Sequence, residues 1–261
     1  TGERELVLFT LLDTIPVYFR IDAGGRLFVT VVSLIWLMSA LSAFVYMRHE
    51  GKEKRYFGFY LILYGILVAA DFAGNLVTLY LFYELTTLAS MPLVLHSGKR
   101  ESVMAALKYL FYSLCGAYGG LFAIFILYRY SDTLTFAAGG TLNMAAAQGH
   151  EGILLIAVFA ALLGFGAKAG MVPLHAWLPT AHPVAPSPAS AVLSGLIVKA
   201  GVLGIIRVIF YTFGADFLRG TWVQTTFIVL SLITVLMGSM LAYLEKGFKK
   251  RLAYSTVSQV S

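Results

Sequence analysis

The chain has 261 residues, 59% of them hydrophobic and only 12% charged, with a formal net charge of +6 and a mean hydropathy of +0.82. Soluble domains carry about 25% charged residues, so this composition excludes an ordinary water-soluble globule and fits a chain folded in lipid. The basic excess sits in short stretches between long apolar runs and forms no continuous basic face, which argues against a nucleic-acid partner and makes the charge a topology signal.

Residues 1–26 read differently from the rest. Ile15, Val17, Phe19 and Ile21 alternate with Pro16, Tyr18, Arg20 and Asp22, a period of two that predicts a short strand or hairpin closed by Gly24-Gly25. Apolar runs follow at 27–47, 56–73, 76–95, 102–128, 152–171, 189–213 and 221–243, and a further helix begins near Lys250. A helix needs about 20 apolar residues to cross the hydrocarbon core. The seven runs therefore predict an all-α, polytopic transmembrane bundle. Cys115, the single cysteine, lies inside an apolar run, which excludes a disulfide, a CxxC redox motif and a cysteine-ligated cluster. No signal peptide is visible, and the chain reads as a piece of a longer protein.

Lysine and arginine bias predicts the orientation. Arg48, Lys52, Lys54 and Arg55, then Lys99 and Arg100, then Lys246, Lys249, Lys250 and Arg251 lie on one set of connections. The alternate connections hold Arg129 and Arg219. The ten-residue side is expected to be cytoplasmic. The hairpin segment is then extracytoplasmic, although Arg4, Arg20 and Arg26 run against that rule.

Residues 171–188 hold five of the seven prolines: Pro173, Pro179, Pro183, Pro186 and Pro188. Proline removes a donor and clashes with the preceding turn, so the helix ending near Met171 must break or kink, around Pro173 and Pro179. Val172, Leu174, Trp177 and Leu178 keep the break apolar. Irregular backbone at membrane depth is tolerated where protein or a water-filled cavity satisfies it, and broken helices recur at ion sites.

A charge at the bilayer centre costs about 2.5–3.5 kcal/mol on insertion scales, so each one needs a reason. Glu84 is the one acidic residue deep in an expected span; it is either a proton carrier or a structural carboxylic acid bonded to a neighbouring helix. Lys168 ends the fifth run, one turn before Pro173; desolvation and a nearby carboxylate act on it in opposite directions, which suits a switchable proton carrier, and the bland reading is a lysine snorkelling to the interface. Lys199 lies about ten residues into the sixth run, where snorkelling is harder. Arg207 and Lys108 read as interfacial anchors. His175 and His182 flank Trp177 in the break as possible proton relays, or as donors to freed carbonyls. His49, His96 and His150 fall in connections and are expected to be solvated. No metal site, phosphate loop, dinucleotide fingerprint or nucleophile elbow is present in the sequence.

Three stretches carry a family resemblance: GFGAKAGMVPLHAWLPTAHPVAPSPASAVLSGLIVKAGVLGIIR at 164–207, FYELTTLASMPLV at 82–94 and KKRLAYSTVSQVS at 249–261. They resemble the antiporter-like, proton-translocating membrane subunits of respiratory complex I, multisubunit sodium/proton antiporters and membrane-bound hydrogenases. The form KAGMVPLHAWLPTAHPVAPS within the longest stretch is nearest the hydrogenase-type and related complex I-like members.

The resemblance implies two inverted five-helix repeats, each with a discontinuous helix. Residues 1–26 would be the extracytoplasmic hairpin, 27–55 a leading helix and basic loop, 56–213 the first repeat and 214–261 the start of the second. It implies that Glu84 matches the family's glutamate, Lys168 its partner lysine on the broken helix and Lys199 the lysine of the following helix. By the same resemblance the chain holds no cofactor and does no redox chemistry itself. It would serve an oxidoreductase complex of NADH:quinone or hydrogenase type, beside related antiporter-like subunits, peripheral iron–sulfur subunits and membrane lipid. A sodium-translocating subunit and a non-transporting scaffold are the rival readings.

Overall fold

A computed structural model of the chain describes residues 5–11 and 14–261; Arg4 lies outside them. Strands β1 (Glu5–Leu11) and β2 (Ile15–Arg20) pair antiparallel, from Glu5 opposite Arg20 to Leu11 opposite Ile15, with an irregularity between Val7 and Phe9. The other edge of β2 rests on the chain before the third helix, where Arg20 N donates to Phe72 O (2.8 Å) and Gly74 N to Tyr18 O (3.1 Å). Both edges of β2 are thus bonded, which leaves no open strand edge there.

Gly24-Gly25 does not close this hairpin. Both glycines belong to the first turn of α1 (Ala23–Glu50), capped by Asp22, whose Oδ1 accepts from Gly25 N at 2.6 Å. A Cβ on Gly25 would stand 2.6 Å from the carbonyl oxygen of Asp71, so close helix approach selects glycine at this place. Next come α2 (Glu53–Asp71), α3 (Leu76–Val94), α4 (Arg100–Tyr130), the single turn α5 (Met144–Ala147) and α6 (Glu151–Ala169). The broken region holds a 3-10 turn (Leu174–Trp177), α7 (Leu178–Val184) and α8 (Ser187–Val192). The following helix is α9 (Val198–Ile206), flanked by π-helical segments Leu193–Ile197 and Arg207–Phe213. The turn α10 (Ala215–Leu218), α11 (Trp222–Leu244) and α12 (Phe248–Val260) complete the described chain.

Among the described residues six helices are long and apolar enough to cross a membrane: Ala23–Glu50, Leu76–Val94, Arg100–Tyr130, Glu151–Val184, Ser187–Phe213 and Trp222–Leu244. The remaining expected run, 56–73, is helical as α2, but Glu53, Lys54, Arg55 and Asp71 at its ends dilute its apolarity. Leu34, Leu37, Leu41 and Phe44 of α1 and Leu232, Leu236 and Met240 of α11 face outward. Outward leucine belts on long helices are what a lipid solvent requires. The chain is a multi-pass membrane protein.

Small residues bring the inner helices together. A Cβ on Gly116 of α4 would sit 2.6 Å from Gly164 O of α6, and Gly119 faces Ala160 O in the same way. On α9, a Cβ on Gly201 would lie 2.7 Å from Phe165 O. Lipid supplies no hydrophobic drive between helices, so close backbone packing supplies the attraction. These contacts fix α6, and with it Lys168, between α4 and α9.

Candidate functional site

Lys168 lies in the last turn of α6 and is fully buried. Its Nζ donates to Tyr83 O at 2.6 Å and to Thr86 Oγ1 at 2.7 Å, and it stands 3.6 Å from the centre of the Tyr83 ring. A carbonyl, a hydroxyl and an aromatic face therefore take the place of water around the ammonium. Tyr83 returns the contact, donating its hydroxyl to Gly164 O (3.2 Å), one turn before Lys168. This lysine does not snorkel.

Glu84 is half-buried, and its Oε1 is buried with no hydrogen-bond partner among the described residues. The described residues show no ion pair within 4.0 Å between Glu84 and Lys168, so the direct pair expected from sequence is not formed. The helix explains this: adjacent residues project about 100° apart. Lys168 docks on the face carrying Tyr83 and Thr86, and Glu84 points to the next face.

The break beside Lys168 is satisfied by protein. Gly170 ends α6 in the left-handed region (φ 88°), with its N–H on Ala167 O, and Met171 N donates to Gly166 O at 2.8 Å. Trp177 Nε1 donates to Ala167 O (2.8 Å) and Val172 N to Thr234 Oγ1 of α11 (3.1 Å). Pro173 precedes the 3-10 turn, and Pro179 sits in the first turn of α7, where a missing N–H is harmless.

The other expected residues fall in two further places. Lys199 is half-buried and donates to Ser194 O (3.1 Å), a carbonyl within the π-helical segment. It lines a cavity of about 380 Å³ with His182, Ser190, Ser194, Lys249 and Thr256. His182 is buried, with Nδ1 2.7 Å from Ser190 Oγ and Nε2 without a partner. His175 lies elsewhere, near Lys108, with its Nδ1 unpartnered. Lys108 is tied to the break through Thr180 Oγ1 at 3.0 Å and does not reach out as a free anchor. Lys168 and Lys199 thus sit on neighbouring helices, and the cavity belongs to Lys199 and His182.

Two further sequence readings need correction. Arg207 is buried and does not anchor the interface: Nη1 and Nη2 grip Asp22 Oδ2 and Oδ1 at 2.5 and 2.9 Å. Its guanidinium also lies 4.8 Å from the Phe136 ring and 4.9 Å from the Tyr211 ring. Asp71 is buried close by, with Oδ2 unpartnered. Asp22 reads in the sequence as part of the strand alternation, and 185 positions separate it from Arg207, so nothing local announces the pair. Burial raises the Asp22 carboxyl, but hydrogen bonds from Arg207 and Gly25 outweigh it and hold the group below its ordinary value. His96, expected in solvent, is also buried, with Nε2 3.0 Å from Gly51 O and its ring against Tyr56. Among the described residues no group of three or more His, Cys, Asp or Glu could hold a metal.

Fold and site define a polytopic membrane protein with a lysine buried beside a broken helix. The family described as NADH:quinone oxidoreductase/Mrp antiporter, transmembrane, matches residues 73–261, and the chain belongs to that family. Hydrogenase-4 component B of Escherichia coli is 35% identical over 247 residues, covering 92% of this chain and 35% of that relative. NADH-quinone oxidoreductase subunit M of Rickettsia prowazekii is 28% identical over 257 residues, covering 97% of this chain and 50% of its own length. A solved chain of the Mrp complex from Dietzia sp. superposes with a TM-score of 0.82 at 26% identity, over 99% of this chain and 47% of that one. The chain thus spans a third to a half of the length of these relatives, and it is an antiporter-like membrane subunit by family.

Proposed function

We propose that this chain carries protons through the membrane part of a redox-driven complex, along an axis formed by Glu84, Lys168 and Lys199. The observation that carries the reading is Lys168: a fully buried ammonium solvated by Tyr83 O and Thr86 Oγ1 at the end of a broken helix. A side chain held this way gains or loses a proton when a nearby charge moves. Swinging the Glu84 carboxylate to about 4 Å from Nζ, at an effective dielectric near 20, favours the charged lysine by about 4 kcal/mol, roughly a thousandfold in proton affinity. Withdrawing it reverses the preference and sends the proton toward Lys199 and its cavity. His182 and His175 serve as relays at the edges of that route, and the break at Pro173 and Pro179 supplies its polar backbone.

The driving charge movement comes from neighbouring membrane subunits, including related antiporter-like ones, and ultimately from iron–sulfur subunits outside this chain. The basic loops face the cytoplasm of a prokaryotic cell. Residues 56–213 act as the first five-helix repeat. A sodium route finds less support, because a buried ammonium repels a second cation and Glu84 is the one carboxylate on the axis.

The test is translocation by the assembled complex in sodium-free membrane vesicles, with and without a protonophore. Proton movement continues without sodium and collapses with the protonophore. A strict sodium requirement that survives the protonophore would contradict the proposal.

A further inference from the structure

Four hydroxyls outside the axis meet between α3 and α4. Thr87, Ser90, Tyr109 and Ser113 are each 1% exposed or less. Ser90 Oγ donates to Thr87 O (3.2 Å) and lies 2.9 Å from Tyr109 OH, so the phenol donates to Ser90. The Thr87 and Ser113 hydroxyls border the same phenol. Among the described residues neither meets a partner at full hydrogen-bond geometry. Most serines and threonines inside membrane helices bond back to their own helix, as Thr86, Thr180 and Thr256 do here. Thr87 Oγ1 and Ser113 Oγ do not, although an unsatisfied buried hydroxyl costs about 1–3 kcal/mol. Two such oxygens around one phenol make a polar spot suited to bridging water.

The position of this spot gives it a direction. Thr87 follows Glu84 by one turn on α3, and Ser90 lies one turn further toward the basic connection at Lys99. Tyr109 packs against Trp177 with ring centres 4.6 Å apart and planes tilted by 37°, and its neighbour Lys108 reaches Thr180 of α7. His175, with its unpartnered Nδ1, lies within the field of Lys108. Glu84 Oε1, at the inner end, also lacks a partner. Thr87 and Ser90 therefore step along α3 from the carboxylate toward its basic-loop end, with Tyr109 of α4 beside them.

We propose that Thr87, Ser90, Tyr109 and Ser113 form a hydroxyl-and-water seam that delivers protons from the basic-loop side to Glu84. A proton enters on water beside His175 and Lys108. Each hydroxyl in turn accepts one proton and gives up another, so the seam returns to its starting composition and Glu84 holds the added proton. This inference rests on Glu84 being a proton carrier.

Proton translocation by the assembled complex in membrane vesicles tests it, with Tyr109→Phe, Ser113→Ala and Glu84→Gln compared at equal amounts of complex. Tyr109→Phe keeps the ring against Trp177 and removes only the oxygen. It slows translocation about tenfold, equivalent to about 1.4 kcal/mol on one step. The ratio of rates in light and heavy water rises above that of the unmodified complex. Azide or formate, small weak acids that ferry protons, restore much of the rate, which they would not do for a packing defect. Should Tyr109→Phe fail to assemble, Ser113→Ala carries the same expectations with a smaller change in shape. Normal rates and an unchanged isotope ratio in both variants, with Glu84→Gln inactive, would overturn the seam and leave the axis standing. Normal translocation in Glu84→Gln would bring down the axis itself.

Discussion

Lys168 is held by two oxygens, and each is a separate point of attack. Thr86→Val keeps the volume near Lys168 and removes one of them. A hydrogen bond to a charged group is worth about 1.5–3 kcal/mol, so this variant moves protons more slowly at unchanged assembly, as measured by vesicle acidification. Arg207 and Asp22 define a different kind of residue, bound to each other away from the axis. Arg207→Met leaves Asp22 partly buried and unpaired, and breaking such a pair costs about 3–5 kcal/mol. The double variant Asp22→Asn with Arg207→Met recovers most of that loss in a thermal unfolding measurement. The pH dependence has a definite sign. Asp22 is held below its ordinary value in the folded chain, so its contribution is present at neutral pH and is lost as pH falls through that lowered value. At this scale the sequence pointed to Glu84, Lys168 and Lys199 because each is an ionisable residue in an apolar run, and the structure buries Lys168 fully and the other two in part. The oxygens that receive Lys168 were not legible, since a main-chain carbonyl has no sequence signature. Nor was the grip of Arg207 on Asp22, which only the folded chain brings together.

Helices are positioned by what they lack. Gly116 and Gly164 face each other across the α4–α6 seam, and a methyl on either meets the opposing backbone. Gly116→Ala therefore lowers the unfolding temperature and loosens α6, and thermal denaturation in detergent measures the shift. Gly58→Ala, on an exposed face of α2 with nothing within 4 Å of the added Cβ, is the control; helix propensity alone makes it neutral or stabilising by up to about 1 kcal/mol. The break after Ala169 could be read from five clustered prolines, because proline acts on backbone geometry locally. Its completion could not: Thr234, which receives Val172 N, comes from α11, 62 positions away. The π-helical segments around α9 also left no sequence signal, for Leu193–Ile197 and Arg207–Phe213 read as ordinary apolar helix.

For the whole molecule, the apolar belts place the bundle in lipid, and the charges that remain divide into two roles. Arg207, Asp22 and the hairpin contacts tie one end of the bundle together, while Lys168 lies in its interior with Glu84 on the adjoining face. Composition made the class and the span pattern readable from the first pass. The most direct test is proton translocation by the assembled complex carrying Glu84→Gln, in sodium-free vesicles and normalised to the amount of complex in the membrane. The variant assembles at normal levels and translocates almost no protons; translocation at the unmodified rate would contradict the account.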